Sequence, residues 1–147
     1  MSKQQLLELA ERVERLSGPC RDVDALIRCA LFAGPSAYVE QSKINAAWCV
    51  YEIGYNGKPH IWEGRGLPAV IRNGAFTASL DASMTLVPED QFWRVGHNHD
   101  DPSYFTAQAS YSTSPSLIGF CMGDGETPAL ALTSASLRAK AAMIEDE

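Results

Sequence analysis

The stretch that most restricts the fold is the last long one, TPALALTSASLRAKAA, residues 127–142. Thr127 is a good N-cap, because its hydroxyl can accept a free backbone N–H of the first turn. Pro128 suits the first helical position, where no N–H is needed. From Ala129 to Ala142 the helix is apolar around much of its girth, above all in its first half. Such a helix has no wet face to lie on a surface with, so it must be buried against a sheet. The acidic end Glu145-Asp146-Glu147 sits at the negative pole of the helix dipole and is expected to fray.

What the sheet is made of can be read upstream. Residues 4–16 place Leu6, Leu9, Val13 and Leu16 on one helical face. Ser17-Gly18-Pro19 interrupts them, with Gly18 expected in the left-handed C-terminal position and Pro19 in the first turn of a second helix. That helix repeats the pattern with Val23, Leu26, Ile27, Ala30 and Leu31, carries Asp22 and Asp24 near its start, and stops at Gly34-Pro35. The two are expected to form an antiparallel pair. Residues 47–54 (AWCVYEIG), the turn pair Asn56-Gly57 and His60-Ile61-Trp62 read as strand, tight turn, strand. Residues 64–75 read as a loop with a short extended piece at Ala69–Ile71. FTASLDASMTLVP is a short helix capped by Thr77 or Ser79, ended by Pro88, with Leu80, Met84 and Val87 as its buried stripe. Residues 91–97, 104–112 and 116–122 are strands joined by polar turns at Asn98–Ser103 and Thr113–Pro115, an antiparallel meander. The sum is an α+β fold, a single domain over 1–147 with helices packed on a mainly antiparallel sheet.

Bulk properties exclude several functions. The net charge of −6 argues against a nucleic-acid partner and against binding to an anionic membrane. No run approaches the ~18 apolar residues of a membrane span, and the amphipathic N-terminus lacks the apolar core of a secretory signal. Cys20, Cys29, Cys49 and Cys121 match no zinc or redox spacing, so reduced, mostly buried thiols of a cytoplasmic chain are expected, with no cofactor.

Three segments, RVERLSGPCRDVDALI (12–27), FTASLDASMTLVPEDQFWRVG (76–96) and TPALALTSASLRAKA (127–141), together resemble the phage ABA sandwich domain family, small proteins of bacteriophages and prophages. The likeness rests on Gly-Pro-x-Arg-x-x-Asp at Gly18–Asp24, a Phe-Thr-x-Ser-Leu-Asp-Ala helix start at Phe76–Ala82, Leu-Val-Pro at Leu86–Pro88, and Thr-Pro-Ala-Leu-Ala-Leu at Thr127–Leu132. Phe76 stands where the family usually has Tyr, and Cys20 and Thr133 also depart from its pattern. The resemblance implies a phage or prophage origin and an α/β/α sandwich-like fold; it implies no reaction. The matched residues are caps, stops and packing faces, and function has to be sought in a site.

The most conspicuous candidate is GHNHDD, Gly96 to Asp101. On an extended strand His97 and His99 point to the same side, and Asp100 adds an oxygen, which is the beginning of a metal site. Asn, Asp and Pro are also what a polar turn is made of, and the ligand set is incomplete, so the turn is the preferred reading. GDGET before the last helix offers glycines to a phosphate, but Asp124 and Glu126 repel it and no Lys-Ser or Lys-Thr pair follows. There is no nucleophile elbow, and Cys121 lies in an apolar strand. The strand aromatics are mostly core, but Tyr55, His60, Trp62, Arg94, His97 and Tyr104 are candidates to line a ligand pocket near the strand turns. The expected function is that of a phage-encoded accessory protein that binds a host or phage protein or a small ligand. A domain of this length buries only ~70% of its chain surface, so surplus apolar area points to a homo-oligomer. The alternatives are a metal-dependent enzyme using His97, His99 and Asp100, and a virion-associated structural protein.

Overall fold

The computed structural model describes residues 2–114 and 117–144. In chain order the elements are α1 (Lys3–Glu14), α2 (Arg21–Phe32), β1 (Tyr38–Gln41), β2 (Trp48–Ile53), β3 (Pro59–Ile61), α3 (Ala69–Asn73), α4 (Leu80–Met84), β4 (Trp93–His97), β5 (Phe105–Ser114), β6 (Leu117–Gly125) and α5 (Pro128–Ala142). The fold is α+β. Its six strands divide into two antiparallel sheets of three, β1-β2-β3 (sheet A) and β4-β5-β6 (sheet B).

α5 is the axis of the structure. Thr127 Oγ1 accepts the Leu130 N–H at 3.2 Å, and Pro128 opens the helix as its sequence requires. One side of α5, with Leu130, Leu137 and Ala141, meets Leu6, Leu9 and Val13 of α1, Val23 and Ile27 of α2, and the buried Phe76 and Leu86. The other side, with Ala131, Leu132, Ala135 and Ala139, lies on Ala107 and Ala109 of sheet B. Contact with β6 is nearly backbone to backbone. A Cβ on Gly123 would stand 2.4 Å from Ala135 N and 2.7 Å from Ala131 O, and one on Gly125 would stand 2.7 Å from Ala131 N. Glycine is required there because a real Cβ has no room.

The outer edge of β6 is closed by side chains. Asp124 N–H donates to Glu14 Oε2 at 2.8 Å, Arg138 Nη1 donates to Met122 O at 3.0 Å, and the same guanidinium grips Glu14 in a two-pronged ion pair of 2.6 and 2.5 Å. Burial opposes ionisation of Glu14, but Arg138 and the Asp124 N–H outweigh it and hold its carboxyl below the usual value.

A second buried network joins α2, α5 and the segment leading into α4. Asp24 is fully buried; its Oδ1 accepts both the Thr77 N–H and the Thr77 hydroxyl at 2.9 Å, and its Oδ2 accepts Arg21 Nη1 at 3.1 Å. Thr133 of α5 donates to Phe76 O at 3.0 Å, and Phe32 stacks on Phe76 with ring centroids 6.3 Å apart. Arg28 donates to Asn73 O at 3.0 Å and lies against Gly74, whose φ of 57° and lack of a Cβ are both needed there. Burial pushes the Asp24 carboxyl up, against the pull of Thr77, Arg21 and Arg28.

Several local expectations are corrected. Gly18 is not left-handed: α1 ends at Arg15 in right-handed geometry, φ −86° and ψ −6°. Pro19 precedes the second helix instead of starting it, because Cys20 takes the extended N-cap position while its N–H donates to Thr77 Oγ1 at 2.9 Å. α1 packs chiefly along α5, less along α2. The β2–β3 turn is longer than a two-residue one: Gly57 N–H donates to Gly54 O, Gly54 N–H donates to Lys58 O, and Gly57 has φ 73°, the geometry of a three-residue loop with a glycine bulge. Ala69–Asn73 is a short helix, not an extended piece, closed by left-handed Gly74 donating to Val70 O. Met84 is 39% exposed; helical periodicity ends at that residue, and Leu86 turns into the core instead. β1 was not anticipated at all. β5 runs to Ser114, two residues past the foreseen strand end, so Thr113 and Ser114 belong to the strand and not to the expected Thr113–Pro115 turn; Pro115 and the acidic tail at 145–147 lie outside the described residues.

Candidate functional site

The face of sheet B turned away from α5 carries a group of exposed apolar side chains. Strand alternation decides what it carries. In β6 the residues facing α5 are Gly119, Cys121, Gly123 and Gly125, paired with Tyr111, Ala109, Ala107 and Phe105. The intervening residues, Ile118, Phe120 and Met122, therefore point outward, and they are 60%, 60% and 54% exposed. Phe92, just before β4, joins them at 71%. Contiguous apolar side chains exposed to this degree are the usual mark of an interaction surface.

Polar groups frame the patch. At one end Asn98 Nδ2 donates to Thr106 Oγ1 and that hydroxyl donates to Asp124 Oδ1, each at 2.8 Å, a line crossing all three strands. At the other end the Phe92 N–H donates to Ser110 Oγ at 2.7 Å, and this hydroxyl donates to Gln91 Oε1 at 2.9 Å. Between them Arg94 lies opposite Gln108, which lies opposite Met122. Two shallow depressions meet at Arg94 and Gln108. One, of about 340 Å³, is lined by Phe92, Trp93 and Phe120; the other, of about 490 Å³, is lined by Gly96, His97, Asn98, His99, Asp100 and Met122 among others.

The six residues singled out in the sequence separate into two groups. Arg94 and His97 line the second of those depressions, and the Tyr104 hydroxyl donates to Glu126 Oε1 at 3.4 Å. Tyr55, His60 and Trp62 belong to sheet A: Tyr55 is fully exposed at the hairpin tip, while His60 and Trp62 line a different depression with Glu52, Glu63 and Arg65. Neither depression contains a residue of the other group.

The histidine segment is an organised turn. Asn98 Oδ1 accepts the N–H groups of Asp100 and Asp101 at 2.9 and 3.0 Å, and Asp101 Oδ1 accepts the Ser103 hydroxyl at 2.6 Å. The Ser103 hydroxyl and N–H hold the Asp101 carboxyl below its usual range. His97 tilts over Phe105 with centroids 4.8 Å apart, and its Nδ1 is 3.1 Å from Pro102 O. Among the described residues no three His, Cys, Asp or Glu side chains converge as a metal site. Burial pushes the Cys121 thiol up, which keeps it protonated and poorly nucleophilic.

The residues that sequence reasoning missed are Ile118, Phe120 and Met122, taken as part of a uniformly apolar strand. The signal was present in LIGFCMGDG as large residues alternating with Gly and Cys. The small set permits the close approach of a helix, so the large set is left on the open side.

Comparisons with models of known protein families, with curated proteins and with solved structures find no match. Among the described residues no helix is long and apolar enough to cross a membrane.

Proposed function

We propose that this chain is a phage- or prophage-encoded accessory protein of the phage ABA sandwich type that acts in the host cytoplasm by binding, with the open face of sheet B as its contact surface. The observation that carries the reading is the exposure of Phe92, Ile118, Phe120 and Met122 together on one sheet face. The phage assignment is supported by the sequence segments alone; their residues Arg21, Asp24, Phe76, Thr77 and Thr133 serve the buried network and leave the open face free to specialise. Self-association through this face is part of the reading, since symmetric dimers are the commonest way to cover such a patch.

Light scattering coupled to size exclusion over a concentration series tests it. Wild type is expected to dimerise in the micromolar range and Phe92→Gln/Phe120→Gln to remain a folded monomer. A wild-type protein that is monomeric at high micromolar concentration refutes self-association. The binding reading fails if the double variant also retains wild-type affinity for every partner captured from phage-infected cells.

A further inference from the structure

The two edges of sheet B are finished differently. Ser110 N–H donates to Phe92 O at 2.8 Å and Asn98 N–H donates to Tyr104 O at 2.9 Å, which marks the even-numbered residues of this strand as the ones bonded to β5. By alternation, the N–H and C=O groups of Trp93, Val95 and His97 point away from β5. On β6 the outward set is even-numbered instead, and there Met122 O and Asp124 N–H are taken by Arg138 and Glu14. β4 pairs with no other described strand, its register with β5 is regular, and it contains no Pro or bulge to blunt the edge, Arg94 being its one Lys or Arg residue. A bare, regular edge is a template for another extended backbone.

Charge decides which backbone. A two-fold pairing of β4 with itself that uses these outward groups sets Val95 opposite Val95 and Trp93 opposite His97. The turns that flank the strand carry Glu89 and Asp90 at one end and Asp100 and Asp101 at the other, and an antiparallel self-pairing brings the one end beside the other. All four acids are exposed, and Asp100 lines the depression beside the strand, so self-pairing sets acid against acid at both ends. A segment with basic residues at both ends meets the same four acids favourably. Arg94, midway along the strand, disfavours a basic residue at its centre.

We propose that the β4 edge binds an extended segment of a partner protein, adding it as a fourth strand of sheet B, and that it selects segments with Lys or Arg at both ends and uncharged residues between. The proposal rests on the binding reading above but uses the strand edge, not the apolar face.

The test uses the acetylated, amidated peptide Lys-Val-Thr-Val-Thr-Val-Lys, titrated into the intact protein with hydrogen exchange followed at single amides. Binding is expected with slowed exchange at Trp93, Val95 and His97, at least ~10-fold weaker when both Lys are Glu, and absent when the edge-facing peptide nitrogens are methylated. Val95→Pro is expected to weaken binding ~10-fold while leaving the β4–β5 ladder intact, because the Val95 N–H takes no part in that ladder. No binding, equal binding of the Glu-ended or methylated peptide, or protection confined to other strands overturns the proposal, and none of these depends on the variant folding. Protection of the three amides that rises with protein concentration in the absence of peptide means a second copy takes the edge, and also overturns it. If the peptide fails while Phe92→Gln/Phe120→Gln still abolishes dimerisation, only the edge proposal falls.

Discussion

Sheets A and B have the same strand number, the same up-and-down order and the same antiparallel pairing, yet they are held to the protein by very different means. Sheet B lies under α5 with two glycines pressed into the helix backbone, and Ala107, Ala109, Gly123 and Gly125 are all buried. Sheet A rests on α2, and of its strand residues only Val50 is buried. Topology alone therefore says little about how strongly a sheet is coupled to the rest of a fold. The apolar area trapped beneath it sets the free energy at which it opens, and a sheet with one buried residue is expected to open well before global unfolding.

The comparison can be broken most directly at α5. Ala135→Asp puts an unpaired charge into the helix–sheet contact and Gly123→Val drives a side chain into helix backbone; each is expected to cost more than ~4 kcal/mol, a large share of the stability of an ordinary domain. Urea melts followed by circular dichroism check this, and a variant that melts with wild type shows the contact to be misplaced. Asp24→Ala, which strands two Thr77 donors and the Arg21 guanidinium, is expected to cost about 3 kcal/mol in the same assay. Val50→Ala should cost about 2 kcal/mol at most. The sharper expectation is where that cost falls: amide exchange accelerates across β1–β3 and stays unchanged at Ala107 and Ala109. Uniform acceleration would mean the two sheets open as one.

Glu14→Gln is expected to cost about 1.5 kcal/mol at neutral pH by weakening the Arg138 pair at the β6 edge. Because the folded-state carboxyl lies below its ordinary value of 4.5, its contribution is complete above that pH and is lost as pH falls through the lower folded value. Asp24 has the opposite sign: with its folded value raised above 3.8, its ionisation costs stability as pH rises through the interval between the two. The Gln variant should therefore flatten the acid limb of the wild-type stability curve, while a curve unchanged in shape would exclude Glu14 as its source. The smallest effect is at the cap, where Thr127→Ala should cost about 1 kcal/mol without altering exchange in sheet A.

Sheet B and α5 were largely legible in the sequence because their signals are local. A cap, a proline and an apolar girth define the helix, and Gly-Cys-Gly alternating with Ile-Phe-Met defines the strand beneath it. Sheet A was legible in its β2–β3 hairpin, whose strands and glycine turn announce themselves. β1 is four residues, YVEQ, with no alternation to detect, and it becomes a strand because β2 offers it a partner. Ala69-Val70-Ile71 favours an extended chain by composition, and the helix there depends on Gly74 closing it beside Arg28. The site fared likewise. Arg94 and His97 were found because polar residues in a strand attract notice, whereas the exposed Phe120 and Met122 resemble core residues until the helix on the opposite face is known.

The meeting of Phe32 with Phe76, and of Arg28 with Asn73, has a consequence for how such a protein can change over time. The chain leaves the helical core after Phe32 and returns to the same spot some forty residues later, as does a detachable cassette whose two ends share one socket. Whatever is threaded between those ends alters the silhouette without disturbing the socket, so sheet A can be traded, enlarged or trimmed while the helix and sheet that it decorates keep their shape.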